Sequence, residues 1–240
     1  MIAPNPYGRR LVLWLDTDRS SAKVDEFSST SLRVHTALGG RNRGERLPIR
    51  DGKSVLDTVR CQHDRSLDRV VVCCHGYQDR LVRAFWGVHS DRGKAALPKW
   101  CSLDQLCATL GPKLLQQDVV VSLAACNAAR DPDVPKGWGA EAYVDGGARS
   151  FAALLRDGLL PHCPEVVVLG HTQAGHTTGN PSGREFRAPA GSPGRGILPM
   201  AWGADAPESA TLRRQWANRV KGAMAERWMM GEAVEWPERP

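Results

Sequence analysis

Apolar positions along the chain fall into short unbroken runs, separated by amphipathic segments and by polar, glycine-rich stretches. Residues 10 to 16, Arg-Leu-Val-Leu-Trp-Leu-Asp, predict a buried strand that ends in an acid. Residues 17 to 50 are rich in Ser, Thr, Gly and Arg and carry only a weak period, so they read as a long irregular segment or a hairpin. A helix is predicted from Lys53 to His63, where Val55, Leu56, Val59 and Arg60 form a one-sided stripe. Leu67 to Cys74 is a continuous β-branched run closed by His75-Gly76, the habit of a strand covered on both faces.

The alternation then repeats. Leu81 to Gly87 predicts a small hairpin, and Ser102 to Leu110 a helix with Ser102 as its N-cap and Gln105 completing a capping box. Asp118 to Ala125 reads as a third strand ending at Cys126-Asn127, followed by a Gly, Pro and Asp loop from 130 to 147. Ser150 to Leu160 is a predicted helix, and Glu165 to Gly170 a fourth strand ending at His171. Residues 172 to 207 read as loop; in 208 to 231, Leu212, Trp216, Val220 and Met224 step by four along one helical face. Strands alternating with helices predict an α/β fold, a mainly parallel sheet with helices on both faces. The division expected is a main domain over 1–207 and a helical extension over 208–240, packed on that domain or on a partner.

Composition leaves that picture standing. At 240 residues, 42% apolar and 24% charged, the chain has the make-up of a globule with a sizeable core rather than of a disordered or fibrous protein. No apolar run approaches membrane-spanning length, and the first ten residues lack a charged n-region followed by an apolar h-region, so a cytoplasmic protein without membrane contact is expected. Seven cysteines, an odd number set mostly in apolar stretches, read as reduced thiols; without paired Cys-x-x-Cys motifs a zinc ribbon is not indicated. A net charge of +6 does not by itself imply nucleic acid. The densest basic stretch, residues 41 to 50, lacks interleaved aromatics and reads as a solvated loop rather than a phosphate-binding site.

Chemistry gathers at the strand ends. In an open parallel sheet the carboxyl ends of the strands share one edge, where ligands bind. His75-Gly76, Cys126 and His171 fall at three such ends, which brings an imidazole and a thiol together by topology. An imidazole both activates a thiol and protonates a leaving amine, so His75 and Cys126 are the catalytic candidates, with the Gly76 and Cys126 amides as oxyanion donors. The polar loop His171-Thr-Gln-Ala-Gly-His176 either orients a substrate or metal through its histidines or is a Gly-rich turn satisfying its own backbone. Cys73 and Cys74 are expected in the core, Cys101, Cys107 and Cys163 in helix or loop packing, and Trp86, Trp100 and Trp138 in a stabilising role near the cleft loops.

An apolar strand into His75-Gly76, then an apolar strand into Ala125-Cys126 after 51 residues, resembles the caspase-like cysteine peptidases of clan CD, the caspases, metacaspases and CHAT-type proteases among them. The intervening order of hairpin, helix and strand is similar too, and the resemblance covers about residues 8 to 172. It implies a caspase-like α/β/α sandwich and a cysteine endopeptidase acting on polypeptides through an acyl-enzyme, without a cofactor or metal and often under an activating protein partner. The chain departs from the family at Ala124-Ala125-Cys126-Asn127-Ala128: the caspase Gln and Gly are missing, and Ala124 stands where metacaspases carry an acid. Neither an Asp nor a basic P1 preference therefore follows. Glu141, Asp145 and Arg149, after Cys126, are candidates for a specificity pocket, with His171 and His176.

Two other readings use the same residues. A zinc hydrolase would take His75, His171, His176 and Cys126 or an acid as ligands, although the chain has no helical His-Glu-x-x-His. A non-catalytic binding module would recruit a partner through the last helix and Trp216, Trp228 and Trp236, but has no physical need for the His75 and Cys126 pair.

Overall fold

A computed structural model describes residues 8–16, 26–38, 40–77, 80–83, 86–89, 99–130, 147–172 and 183–197. The predicted helix over 208–231 with its tryptophans, and Trp138, Glu141, Asp145 and His176, lie outside the described residues. The chain has an α/β fold. Its main sheet has seven strands among the described residues, and five of them, β1 (Arg9–Leu15), β2 (Gly44–Ile49), β3 (Leu67–Cys73), β8 (Val120–Ala124) and β9 (Val167–His171), run parallel. Two short strands, β10 (Gly183–Phe186) and β11 (Arg195–Ile197), extend it antiparallel from β9, giving the order β11-β10-β9-β8-β3-β1-β2.

The apolar runs became the central strands because both sheet faces are covered. On one face Leu13, Val70, Val72, Val121 and Leu123 meet α2 (Gly52–Arg60), α3 (Leu103–Leu110) and α4 (Phe151–Leu159) around an apolar void of about 30 Å³. On the other lies α1 (Glu26–Ala37): Arg46 of β2 stacks 4.5 Å over the Trp14 ring and donates to Ser28 and Ser31 of that helix. Among the described residues no helix is long and apolar enough to cross a membrane.

Four expectations change. Residues 17 to 50 form neither a hairpin nor an irregular stretch where they are described: α1 crosses over, and β2 pairs parallel to β1 at the sheet edge. The helix was hidden because a weak helix former, Ser31, holds a buried position between Phe27, Val34 and Leu38; the strand was hidden because its Pro48 suits only an edge. Likewise residues 172 to 207 include β10 and β11, of 4 and 3 residues, too short to leave a pattern. Arg60 leaves the apolar stripe of α2 and pairs with Asp57 in solvent. Finally, His75 does not close β3. The chain bends at Cys74 and enters a second, four-stranded sheet of β4 (His75–Tyr77), β5 (Arg80–Arg83), β6 (Trp86–His89) and β7 (Cys101–Ser102), in which the predicted hairpin is β5–β6.

Candidate active site

Register fixes where the two catalytic candidates fall. Cys73 of β3 pairs with Ala124 of β8, and the Cys74 N–H donates to the Ala124 carbonyl at 3.3 Å. His75 and Cys126 each lie two residues beyond that matched pair, at the carboxyl edge of adjacent parallel strands. The two chains converge there. A Cβ built on Gly76 would lie 2.5 Å from the Cys126 carbonyl oxygen and 2.7 Å from the Ala125 Cβ, so only glycine permits this approach. His75 and Cys126 are both half-buried, reachable from solvent yet partly walled.

The imidazole has a neighbour that no motif signals. Phe27 of α1 meets the His75 ring edge-on, with centroids 4.8 Å apart and planes at 84°, and Phe27 is itself buried. Its only trace in the sequence is an aromatic in a Ser-rich segment.

Beyond Ala124 the backbone turns sharply. Asn127 adopts φ 54°, a left-handed conformation that Asn tolerates better than most residues, and the Arg130 N–H donates to the Asn127 carbonyl at 3.0 Å. The turn is pinned from three sides. Ala129 N–H donates to the His171 carbonyl at 2.9 Å, Ala152 N–H at the start of α4 donates to the Ala128 carbonyl at 2.8 Å, and the buried Arg184 of β10 donates through Nη1 to the Ala129 carbonyl at 3.2 Å. Gly147, at φ 61°, packs against that same carbonyl, where any Cβ would collide. A thiol carried on a turn held this way is presented at a fixed place on the edge.

The remaining candidates fall differently. His171 is fully buried, paired with Gly183 of β10, and holds the turn through its carbonyl. Since Leu123 pairs with Gly170, His171 stands level with Ala124, two residues deeper in the sheet than Cys126. Arg149 is exposed just before α4. Among the described residues no three His, Cys, Asp or Glu side chains come together as a metal site.

Cys126 is half-buried, whereas Cys73, Cys101, Cys107 and Cys163 are buried. Burial pushes the Cys73, Cys101 and Cys107 thiols from 9.0 up to about 12, and raises that of Cys163. Such thiols stay protonated and inert near neutral pH. Cys61 is exposed, and the described residues contain no disulfide. No known protein-family model and no curated protein matches this chain.

Proposed function

We propose that the chain is a caspase-like cysteine endopeptidase in which Cys126 is the nucleophile and His75 the acid and base. The observation that carries this reading is the convergence of the two strand ends, with Gly76 against the Cys126 carbonyl and the imidazole and thiol both half-buried at one edge. The hairpin, helix and strand between them, in that order, support it as well.

In this mechanism His75 takes the Cys126 proton, and the thiolate sulfur attacks the carbonyl carbon of a bound peptide. The Gly76 and Cys126 N–H groups stabilise the oxyanion that forms. The imidazolium returns its proton to the departing amine as the C–N bond breaks, leaving a thioester on Cys126. A water, deprotonated by His75, then attacks the thioester; the carboxylic product leaves and the thiol is restored. Phe27, edge-on to the ring, walls one side of the imidazole.

The test is hydrolysis of a peptide library, read by mass spectrometry, for the wild type and Cys126→Ala. The variant is expected to lose roughly a thousandfold of the activity or more while keeping its circular dichroism spectrum. Cleavage that survives in Cys126→Ala overturns the assignment.

A further inference from the structure

The turn that carries Cys126 is held from a distance as well as locally. β10 runs antiparallel to β9, so it starts at the carboxyl edge of the sheet and ends about 10 Å away, toward the amino ends of the parallel strands. At the near end Gly183 pairs with His171, whose carbonyl accepts from Ala129 N–H, and Arg184 donates to the Ala129 carbonyl. Arg184 stands opposite Gly170 in register. A Cβ on Gly170 would lie 3.0 Å from the Ala129 Cβ and 3.1 Å from that of Ala152, so the turn, β9 and the start of α4 are in direct contact. A shift of β10 on β9 is therefore felt at the turn.

At the far end of β10 the chain is latched to α4. Arg156 is fully buried. Its guanidinium donates from Nε to Asp157, from Nη1 to the Arg187 carbonyl and to Ser192 Oγ at 2.8 Å, and from Nη2 to the Ser192 carbonyl at 3.1 Å. Three of these four acceptors belong to the loop between β10 and β11. Asp157 grips the same loop: its Oδ1 and Oδ2 accept from Gly191 N–H at 3.2 and 3.1 Å, where Gly191 holds φ 73°. Ser192 Oγ closes the loop on itself by donating to the Arg187 carbonyl at 3.1 Å. A buried guanidinium stripped of acceptors is costly, so Arg156 opposes any lifting of the loop from α4. Gly194 of the returning arm packs on the buried Phe186 ring, where a Cβ would come within 2.5 Å, and this ties the loop to β10.

We infer that Arg156 and Asp157 are positioning residues for Cys126, acting through the β10–β11 hairpin and Arg184. The inference rests on the reading of Cys126 as the nucleophile and adds a control on it. With the loop seated on α4, β10 keeps its register on β9 and Arg184 holds the Ala129 carbonyl. β10 has only 4 residues and β11 only 3, too little pairing to keep that register once the latch is gone. The turn then loses its Arg184 contact, and the thiol its fixed place. Bond making by the His75 and Cys126 pair is unchanged; what falls is the fraction of molecules that present the sulfur to a bound carbonyl. Loss of the latch therefore lowers kcat and leaves KM nearly as it was.

The experiment is hydrogen exchange read by mass spectrometry on the full chain, with kcat and KM for peptide hydrolysis measured alongside. Peptides over 124–130 report the turn, 183–197 the hairpin, and 52–60 in α2 serve as a remote control. One variant is Arg156→Met. Because that change falls at a fully buried position, a second variant, Asp157→Ala with Ser192→Ala, removes the latch from half-buried positions. In both, exchange over 183–197 and 124–130 is expected to rise at least tenfold while 52–60 stays within twofold of wild type. kcat is expected to fall at least tenfold, with KM within twofold. Faster exchange over 183–197 with 124–130 at the wild-type rate overturns the inference. So does unchanged exchange over 183–197, a rise in the second variant that extends to 52–60, or a loss of activity carried by KM. A wild type that hydrolyses no peptide contradicts the peptidase reading alone, and the exchange rates then still decide whether the latch governs the turn.

Discussion

Asn127 sits directly after the candidate nucleophile with φ 54°, and no other residue of the turn from Cys126 to Arg130 has a positive φ. A β-branched side chain there meets the following carbonyl at about 1–2 kcal/mol, whereas glycine meets nothing. Asn127→Val is therefore expected to lower stability by about that amount in urea unfolding and to cut peptide hydrolysis, with Asn127→Gly close to wild type. Equal behaviour of the two variants would mean that the turn is not held left-handed. His75 and Cys126 were legible in the sequence because each follows an unbroken apolar run. Asn127 was legible in principle, as an Asn where a strand must turn. Phe27 and Arg184 were not, since an aromatic and an arginine carry no signal of what they will touch.

Among the elements, α3 is the one whose terminus the residues dictate most directly. Gln105 N–H donates to Ser102 Oγ at 3.0 Å, and Ser102 N–H donates to Gln105 Oε1 at 2.9 Å, the reciprocal pair predicted from the Ser-x-x-Gln spacing. Ser102→Ala removes one half of it and should cost about 1 kcal/mol, a fall in Tm of about 2–4 °C by calorimetry. An unchanged Tm would contradict the cap. α1 and β2 illustrate the opposite case. A buried serine in the helix and a proline in the strand each contradict local propensity, and packing against Trp14 and β1 overrides it. Short edge strands such as β10 and β11 form because β9 offers a partner, which no local pattern records.

At the scale of the molecule, the parallel sheet and its helical cover followed from the alternation of elements, but the switch of sheets at Cys74 did not. It arises because β3 stops pairing with β8 at Cys73 and the chain bends at Cys74 before entering β4. The packed core also predicts a pH response. The Cys73, Cys101 and Cys107 thiols are held at about 12 in the folded protein, whereas in the unfolded chain they ionise near their ordinary value. Between these limits the unfolded chain binds fewer protons, so the contribution of these thiols to stability is constant below about pH 8.5 and falls above it, by up to about 1.4 kcal/mol per pH unit for each thiol. Urea midpoints under reducing conditions should decline from pH 9 upward, less steeply in Cys101→Ala. A flat profile to pH 11 would contradict the burial of these groups as charges-to-be.

The claim on which the functional account rests is that His75 activates Cys126. Limiting iodoacetamide followed by peptide mapping measures it directly, with the exposed Cys61 as an internal reference. Cys126 is expected to label ahead of Cys61 in the wild type near neutral pH, and to fall to the rate of Cys61 or below in His75→Ala. A Cys126 that labels no faster than Cys61, or at a rate indifferent to His75, would contradict the dyad and the peptidase reading with it.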